Sequence, residues 1–141
     1  MSGRPEIIAE VRRWVWKAEN DFRNACFVLT MKEDCPFDTV CFHSQQCVEK
    51  YIKSLLVFQE LDFPRTHDLV LLFNLLKRNP TSGLRVIDVQ PLNRYSIEAR
   101  YPGDWEPIDE TEARAALEVA RNVRNTVRRF LQLDISPKEN E

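Results

Sequence analysis

The sequence predicts an all-α fold, an up-and-down bundle of about five helices in one domain, and three observations carry that prediction. Glycine is scarce, with three in 141 residues, whereas average usage near 7% gives about ten. Folds with many tight turns spend glycine at positive φ. Apolar residues recur at three-and-four spacing along most of the chain, the signature of amphipathic helices. The joins between these stretches are short, which favours antiparallel neighbours. Hydrophobic residues make up 43% and charged residues 30%. That is enough apolar surface for one core and enough charge to exclude wholesale disorder, while the length excludes two independent domains.

The first helix is expected from about Pro5 to Met31, with Ile7, Ile8, Val11, Trp14, Val15, Ala18, Phe22, Ala25 and Leu29 on one face. Pro5 suits a first turn, and Asp34-Cys35-Pro36 ends the segment, because the residue before proline is biased away from the α region. A second helix is expected from near Asp38 to Gln59, its face marked by Cys41, Ser44, Val48, Tyr51, Ile52, Leu55 and Leu56, with Glu49 and Lys53 paired at i and i+4. After the loop Phe63-Pro64-Arg65-Thr66, either Thr66 or His67 is positioned to cap a shorter helix through about Lys77. Asn79-Pro80-Thr81-Ser82-Gly83 closes that helix. Leu84 to Ala99 reads as helix broken or kinked near Pro91, and Tyr101 to Pro107 as a loop. Asp109 with Glu112 has the form of a capping box, and Ala113, Ala116, Ala120, Val123, Val127, Phe130 and Leu131 then continue one face to about Leu133. Residues 134–141 read as a frayed tail, so the whole chain is one domain with its core over about 5–133.

The formal charge of −2 and a pI near 5.8 give no whole-molecule attraction to nucleic acid or anionic membrane, so any basic site must be local. The longest apolar run, Leu69 to Phe73, is far short of the ~20 residues that span a bilayer, and the N-terminal segment lacks a signal-peptide core. No membrane association is expected, and the location expected is cytoplasmic. Cys26, Cys35, Cys41 and Cys47 form no CxxC pair, so they are read as reduced, small apolar residues. With Gly3, Gly83 and Gly103 as the only glycines, no Gly-rich phosphate loop can be assembled.

Two histidines, His43 and His67, exclude a multi-histidine metal site, and no metal or cofactor is expected. His67 precedes Asp68 at a helix start, where a cap or loop hydrogen bond is the simplest role. His43 lies on the second helix, where solvent or a neighbouring helix suffices to explain it. No carboxylate pair stands out, and no Ser/His/Asp triad can be assembled. The last helix holds the one patch that sharpens. Arg121, Arg124 and Arg128 are spaced three and four and share a face, with Asn125 beside it and no acid between Glu118 and Asp134. Cations late in a helix are what its dipole favours, each worth about 0.3–1 kcal/mol. The same rigid row of planar guanidiniums is also a bidentate phosphate binder, which makes Arg121, Arg124, Asn125 and Arg128 the candidate nucleotide- or RNA-binding residues.

The order of motifs is informative: Trp16-x-Ala18-x-x-Asp21-Phe22-x-x-Ala25, then Cys41-Phe42-His43-Ser44-Gln45-Gln46-Cys47-Val48-Glu49-Lys50-Tyr51-Ile52-Lys53, then Thr66-His67-Asp68-Leu69, then Arg100-Tyr101-Pro102-Gly103, then an Ala-rich helix with arginines. Over roughly residues 8–131 this resembles the HEPN (higher eukaryotes and prokaryotes nucleotide-binding) domain family. The resemblance implies a helical bundle that forms a homodimer, a role in nucleotide or RNA transactions, and partnership with a minimal nucleotidyltransferase in toxin–antitoxin modules. The ribonuclease branch carries an arginine, a polar residue and then a histidine on the last long helix. Arg124-Asn125 matches the first half, but Arg129, Phe130 and Leu131 stand where the histidine belongs; from Arg121-Asn122 those places hold Thr126, Val127 and Arg128. Arginine, with a pKa above ~12, cannot exchange a proton with a 2′-hydroxyl near neutral pH. No catalytic residue is therefore assigned. The expected function is a non-catalytic, dimeric phosphate binder. The rivals are a ribonuclease toxin with a non-standard site drawing on His43 or His67, and a helical dimerisation or interaction module without ligand.

Overall fold

The computed structural model describes residues 5–77, 83–96 and 107–132. In chain order these form α1 (Pro5–Val28), α2 (Phe37–Phe58), α3 (Leu69–Leu75), α4 (Val86–Val89), a 3₁₀ turn (Gln90–Tyr95) and α5 (Glu110–Leu131). No strand occurs among the described residues, and the all-α bundle expected from the sequence is the fold found.

Local chemistry accounts for each boundary, including those that differ from expectation. α1 stops at Val28 rather than Met31, because Thr30 and Met31 donate backbone bonds three residues back, to Phe27 and Val28 at 3.0 Å each, tightening the turn. Thr30 Oγ1 also donates to the Phe27 carbonyl at 2.6 Å. α2 begins at Phe37, directly after Pro36, and ends one residue before Gln59, with Glu60 in the left-handed region at φ 58°. The cap of α3 is Asp68 rather than Thr66 or His67: its carboxylate accepts from the Val70 and Leu71 amides at 3.0 and 3.3 Å. Thr66 Oγ1 instead accepts from the Asp68 amide. α3 stops at Leu75, short of Lys77. The Gln59 side-chain amide bonds both backbone groups of Lys77, at 2.8 and 2.9 Å, and so holds that residue out of the helix.

The break expected near Pro91 is real. α4 gives way at Gln90 to the 3₁₀ turn, whose first turn contains Pro91, which lacks an N–H. Gly83 lies at φ +89°, a conformation that favours glycine. Asp109 caps α5 by accepting from the Glu112 amide at 2.9 Å. The Glu112 side chain does not close the box. It accepts instead from the Tyr95 hydroxyl and pairs with Arg94 at 3.3 Å, tying α5 to the 3₁₀ turn. The expected Tyr101–Pro107 loop, apart from Pro107, and the tail 134–141 lie outside the described residues.

α2 is the central element. Val40, Cys41, Ser44, Gln45, Cys47, Val48, Glu49 and every residue from Tyr51 to Val57 are buried. α1 runs antiparallel to it, since Asp21 meets His43 while Trp14 meets Lys53. α5 is antiparallel to α1, with Phe22 under Arg121 and Glu19 on Arg128, and is therefore parallel to α2. The α2-to-α5 connection is accordingly a long crossover, and α3, α4 and the 3₁₀ turn occupy it.

Asp68 holds both the start of α3 and the crossover, because Asn93 donates to its Oδ1 at 2.9 Å and accepts from the Leu69 amide at 2.7 Å. Asp68→Ala is expected to lower the unfolding free energy by about 1–2 kcal/mol, the cost of a lost N-cap. Urea denaturation measures it, and an unchanged midpoint shows that the crossover does not depend on this cap.

Candidate functional site

The buried face of α1 is Val11, Val15, Ala18, Phe22 and Ala25. Glu19 and Asp21 are two residues apart, about 200° around the helix, so they lie on opposite flanks of that stripe. Both are nonetheless buried, at 5% and 8% exposure. Burying a carboxylate without partners is prohibitive, so each flank has to supply cations or donors.

On the α5 flank, Arg124 grips Glu19 with two parallel bonds, Nε to Oε2 at 2.6 Å and Nη2 to Oε1 at 2.9 Å. Arg128 adds a third from Nη1 to Oε1 at 3.0 Å, and the Tyr51 hydroxyl of α2 donates to Oε2. The Phe22 ring underlies the guanidiniums, with Arg124 Cζ 4.8 Å and Arg121 Cζ 5.3 Å from its centroid. Arg121 directs Nε to Glu118 at 2.9 Å, and Arg124 Nη1 donates to Asn125 Oδ1 at 3.1 Å. Burial pushes the Glu19 carboxyl up, but the bonds from Arg124 and Tyr51 and the charges of Arg124 and Arg128 outweigh it, so the net shift is downward. Arg124 shifts further up through its bonds to Glu19, against the opposing effect of burial. Tyr51 is held firmly neutral by burial and by donating to Glu19.

On the other flank, Asp21 accepts from Lys50 Nζ at 2.6 Å and pairs with His43 Nδ1 at 2.8 Å. Further along α2, Glu49 pairs with Lys53 at 2.9 Å and with His67 Nδ1 at 2.8 Å, while the Gln45 amide bridges Glu49 and the His67 carbonyl at 3.2 and 3.1 Å. Lys53 Nζ lies 5.4 Å from the Trp14 ring centroid and 5.8 Å from that of Phe63. Among the described residues, no group of three or more His, Cys, Asp or Glu side chains is placed to hold a metal ion.

The four arginine-face residues singled out in the sequence do come together, but as two tiers. Arg124 and Arg128 turn inward to Glu19, whereas Arg121 and Asn125 sit at the edge of the seam. His43 and His67 serve separate acids, Asp21 and Glu49, rather than this cluster. Glu19, Tyr51 and Phe22 were not singled out as site residues. The available signal was Glu19 itself, a carboxylate one turn from Val15 and beside the apolar stripe, where a charge has no solvent to face.

Three long helices, with the third locked to the first through a buried acid and two arginines, define a helical-bundle domain whose arginine cluster lies along the α1–α5 seam. The chain belongs to the HEPN domain family, whose model matches residues 11–130. It is 26% identical to a Methanocaldococcus jannaschii protein named "Putative toxin MJ1304", over 89% of this chain and 90% of that one. The crystal structure of ST0689, an archaeal HEPN homologue, is similar with a TM-score of 0.63 and 27% identity, covering 84% of this chain and 94% of that chain. Among the described residues no helix is long and apolar enough to cross a membrane.

Removing Arg124 leaves the buried Glu19 carboxylate only Arg128 and Tyr51, and breaking such a pair costs up to about 3 kcal/mol. Glu19 titrates below its ordinary 4.5 in the folded state. The stabilisation it brings is therefore complete above that value and is lost as pH falls through the depressed pKa. Arg124→Ala is expected to be destabilised by the full amount at pH 7, with the gap to wild type closing in strong acid. Thermal unfolding across pH checks this, and a gap that is constant with pH contradicts it.

Proposed function

We propose that this chain is a non-catalytic HEPN-domain protein that binds the phosphates of nucleotide or RNA on the arginine face of α5. It would act as a homodimer partnered with a minimal nucleotidyltransferase in a toxin–antitoxin-type module. One observation carries the binding role. Arg128 spends only Nη1 on Glu19, and among the described residues its Nε and Nη2 have no protein partner. Arg121 similarly spends only Nε, on Glu118. Side-chain donors therefore remain on two guanidiniums seven residues apart, about 10 Å along the helix, a spacing suited to more than one phosphate.

Two features favour binding over cleavage. The positions that would hold the motif histidine are Arg129, Phe130 and Leu131, and the two histidines present pair with Asp21 and Glu49 away from the arginines. The toxin relative supports the setting of the module. For self-association, Phe27 and Ile87 offer apolar surface, at 75% and 62% exposure. Light scattering reads the dimer, and co-purification with the product of an adjacent nucleotidyltransferase gene reads the partner.

The binding role predicts that Arg121→Glu combined with Arg128→Glu weakens binding of a fluorescein-labelled single-stranded decamer RNA at least tenfold at low salt. The slope of log K against log[salt] should fall by about 0.7 for each phosphate that the variant no longer neutralises. Unchanged anisotropy titrations sink the role. The same RNA should stay intact on prolonged incubation with purified protein; cleavage that disappears in His43→Ala or His67→Ala establishes the ribonuclease reading instead.

A further inference from the structure

The Glu19 carboxylate occupies the donors best suited to a phosphate. Arg124 presents the forked Nε/Nη2 edge of its guanidinium, the geometry that binds a phosphate through two oxygens, and both donors are filled by Glu19 at 2.6 and 2.9 Å. Arg128 reaches the same carboxylate, and Tyr51 closes the set from α2. Two planar carboxylate oxygens thus sit where two oxygens of a phosphate would sit, against a ring floor made by Phe22. The site is not sealed. Arg124 and Arg128 are 24% and 31% exposed and face the α1–α5 seam, so a solvent-borne anion reaches them from outside.

The charge balance points the same way. Three guanidiniums (Arg121, Arg124, Arg128) face two carboxylates (Glu19, Glu118), leaving this face with one surplus positive charge. Loss of the Glu19 charge doubles that surplus and releases the Arg124 fork at once. The groups facing Glu19 are Arg124 and Arg128 from α5 and Tyr51 from α2; Tyr51 donates to it and carries no charge of its own.

Resting on the phosphate-binding role above, we propose that Glu19 is an autoinhibitory occupant of an inner phosphate position between Arg124 and Arg128. In the resting chain, nucleotide or RNA phosphate is confined to the outer donors of Arg121 and Arg128. Full engagement requires the phosphate to exchange for the Glu19 side chain, which keeps wild-type affinity low.

The test is Glu19→Gln, which keeps the shape and removes the charge. Labelled decamer RNA and a fluorescent ATP analogue are titrated in parallel, to separate polymer from mononucleotide binding. Glu19→Gln is expected to tighten binding of at least one probe by about tenfold or more, as befits a released charge-assisted fork. For RNA, the salt slope should steepen by about 0.7 for one additional phosphate neutralised, a change that a purely structural role for Glu19 does not produce. Tyr51→Phe, which only loosens the hold on Glu19, should tighten binding by a few fold, and it decides the matter if Glu19→Gln does not fold by circular dichroism. If wild type binds and both variants bind equally or more weakly, the autoinhibitory role is wrong and the phosphate-binding role stands. If neither wild type nor variant binds either probe, both fall. Binding by Glu19→Gln alone upholds the inner site and overturns only binding by the resting chain.

Discussion

The polar contacts that join the long helices follow from the burial of α2. A helix covered on nearly every side cannot send its charged residues to water, yet α2 carries Gln45, Glu49, Lys53 and Tyr51 among its buried positions, with His43 and Lys50 half-buried. Each must be matched, within α2 or by a group from another element, and the matches between elements fix the architecture. Lys53 and His67 both bond Glu49, and the His67 contact anchors the α2–α3 loop. Asp21 of α1 takes Lys50 and His43. Tyr51 reaches Glu19, whose remaining bonds come from α5. Replacing such pairs with apolar residues of like volume is often neutral for stability, but removing one member is costly, so the pairs specify how the helices meet more than they strengthen the fold.

Glu19 and Asp21 show how two similar side chains come to unlike roles through helical geometry alone. Two residues apart, they emerge on opposite flanks of the α1 stripe. Asp21 meets Lys50 and His43 of α2, a neighbour in sequence and in space, so its partners arrive with the α1–α2 hairpin. Glu19 meets cations 105 and 109 residues away. It is satisfied only once the crossover has delivered α5, which couples closure of the bundle to assembly of the arginine cluster. A helix-dipole account of the late arginines of α5 explains why they are tolerated there. It does not explain why two of them turn inward; a buried carboxylate does.

Much of this was legible in the sequence. The periodic apolar faces located the three long helices to within a few residues, and Asp109 and Pro91 marked real events at their own positions. The boundaries that moved did so through side-chain bonds with no local signature. Gln59 reaches Lys77 across 18 residues, and Asp68 outcompetes Thr66 because Asn93, 25 residues on, supports it. The i, i+4 pair of Glu49 and Lys53 was visible, but not its burial, because α2 has polar residues on a face that any wheel would assign to solvent. The arginine row was equally visible by spacing. Its division into an inner and an outer tier was not, since that depends on Glu19, whose place beside the apolar stripe marks it as buried but does not say that its partners lie 105 and 109 residues away.

The scarcity of glycine has a consequence beyond secondary structure. With three glycines in 141 residues the chain assembles neither Gly-rich phosphate-loop motif, so the phosphate site proposed above is made of side chains, and its cations gain from being held in place when no ligand is bound. Long arginines left to solvent lose several rotors each on binding. Arginines already clamped by a carboxylate and stacked on Phe22 have lost that freedom during folding. The same interaction that offsets their charge therefore preorganises them, so in the phosphate-binding role proposed above Glu19 would oppose phosphate through electrostatics while lowering the entropic cost of binding it. These opposing effects act on different quantities: the charge governs the salt dependence, whereas the preorganisation governs how sharply affinity depends on ligand shape.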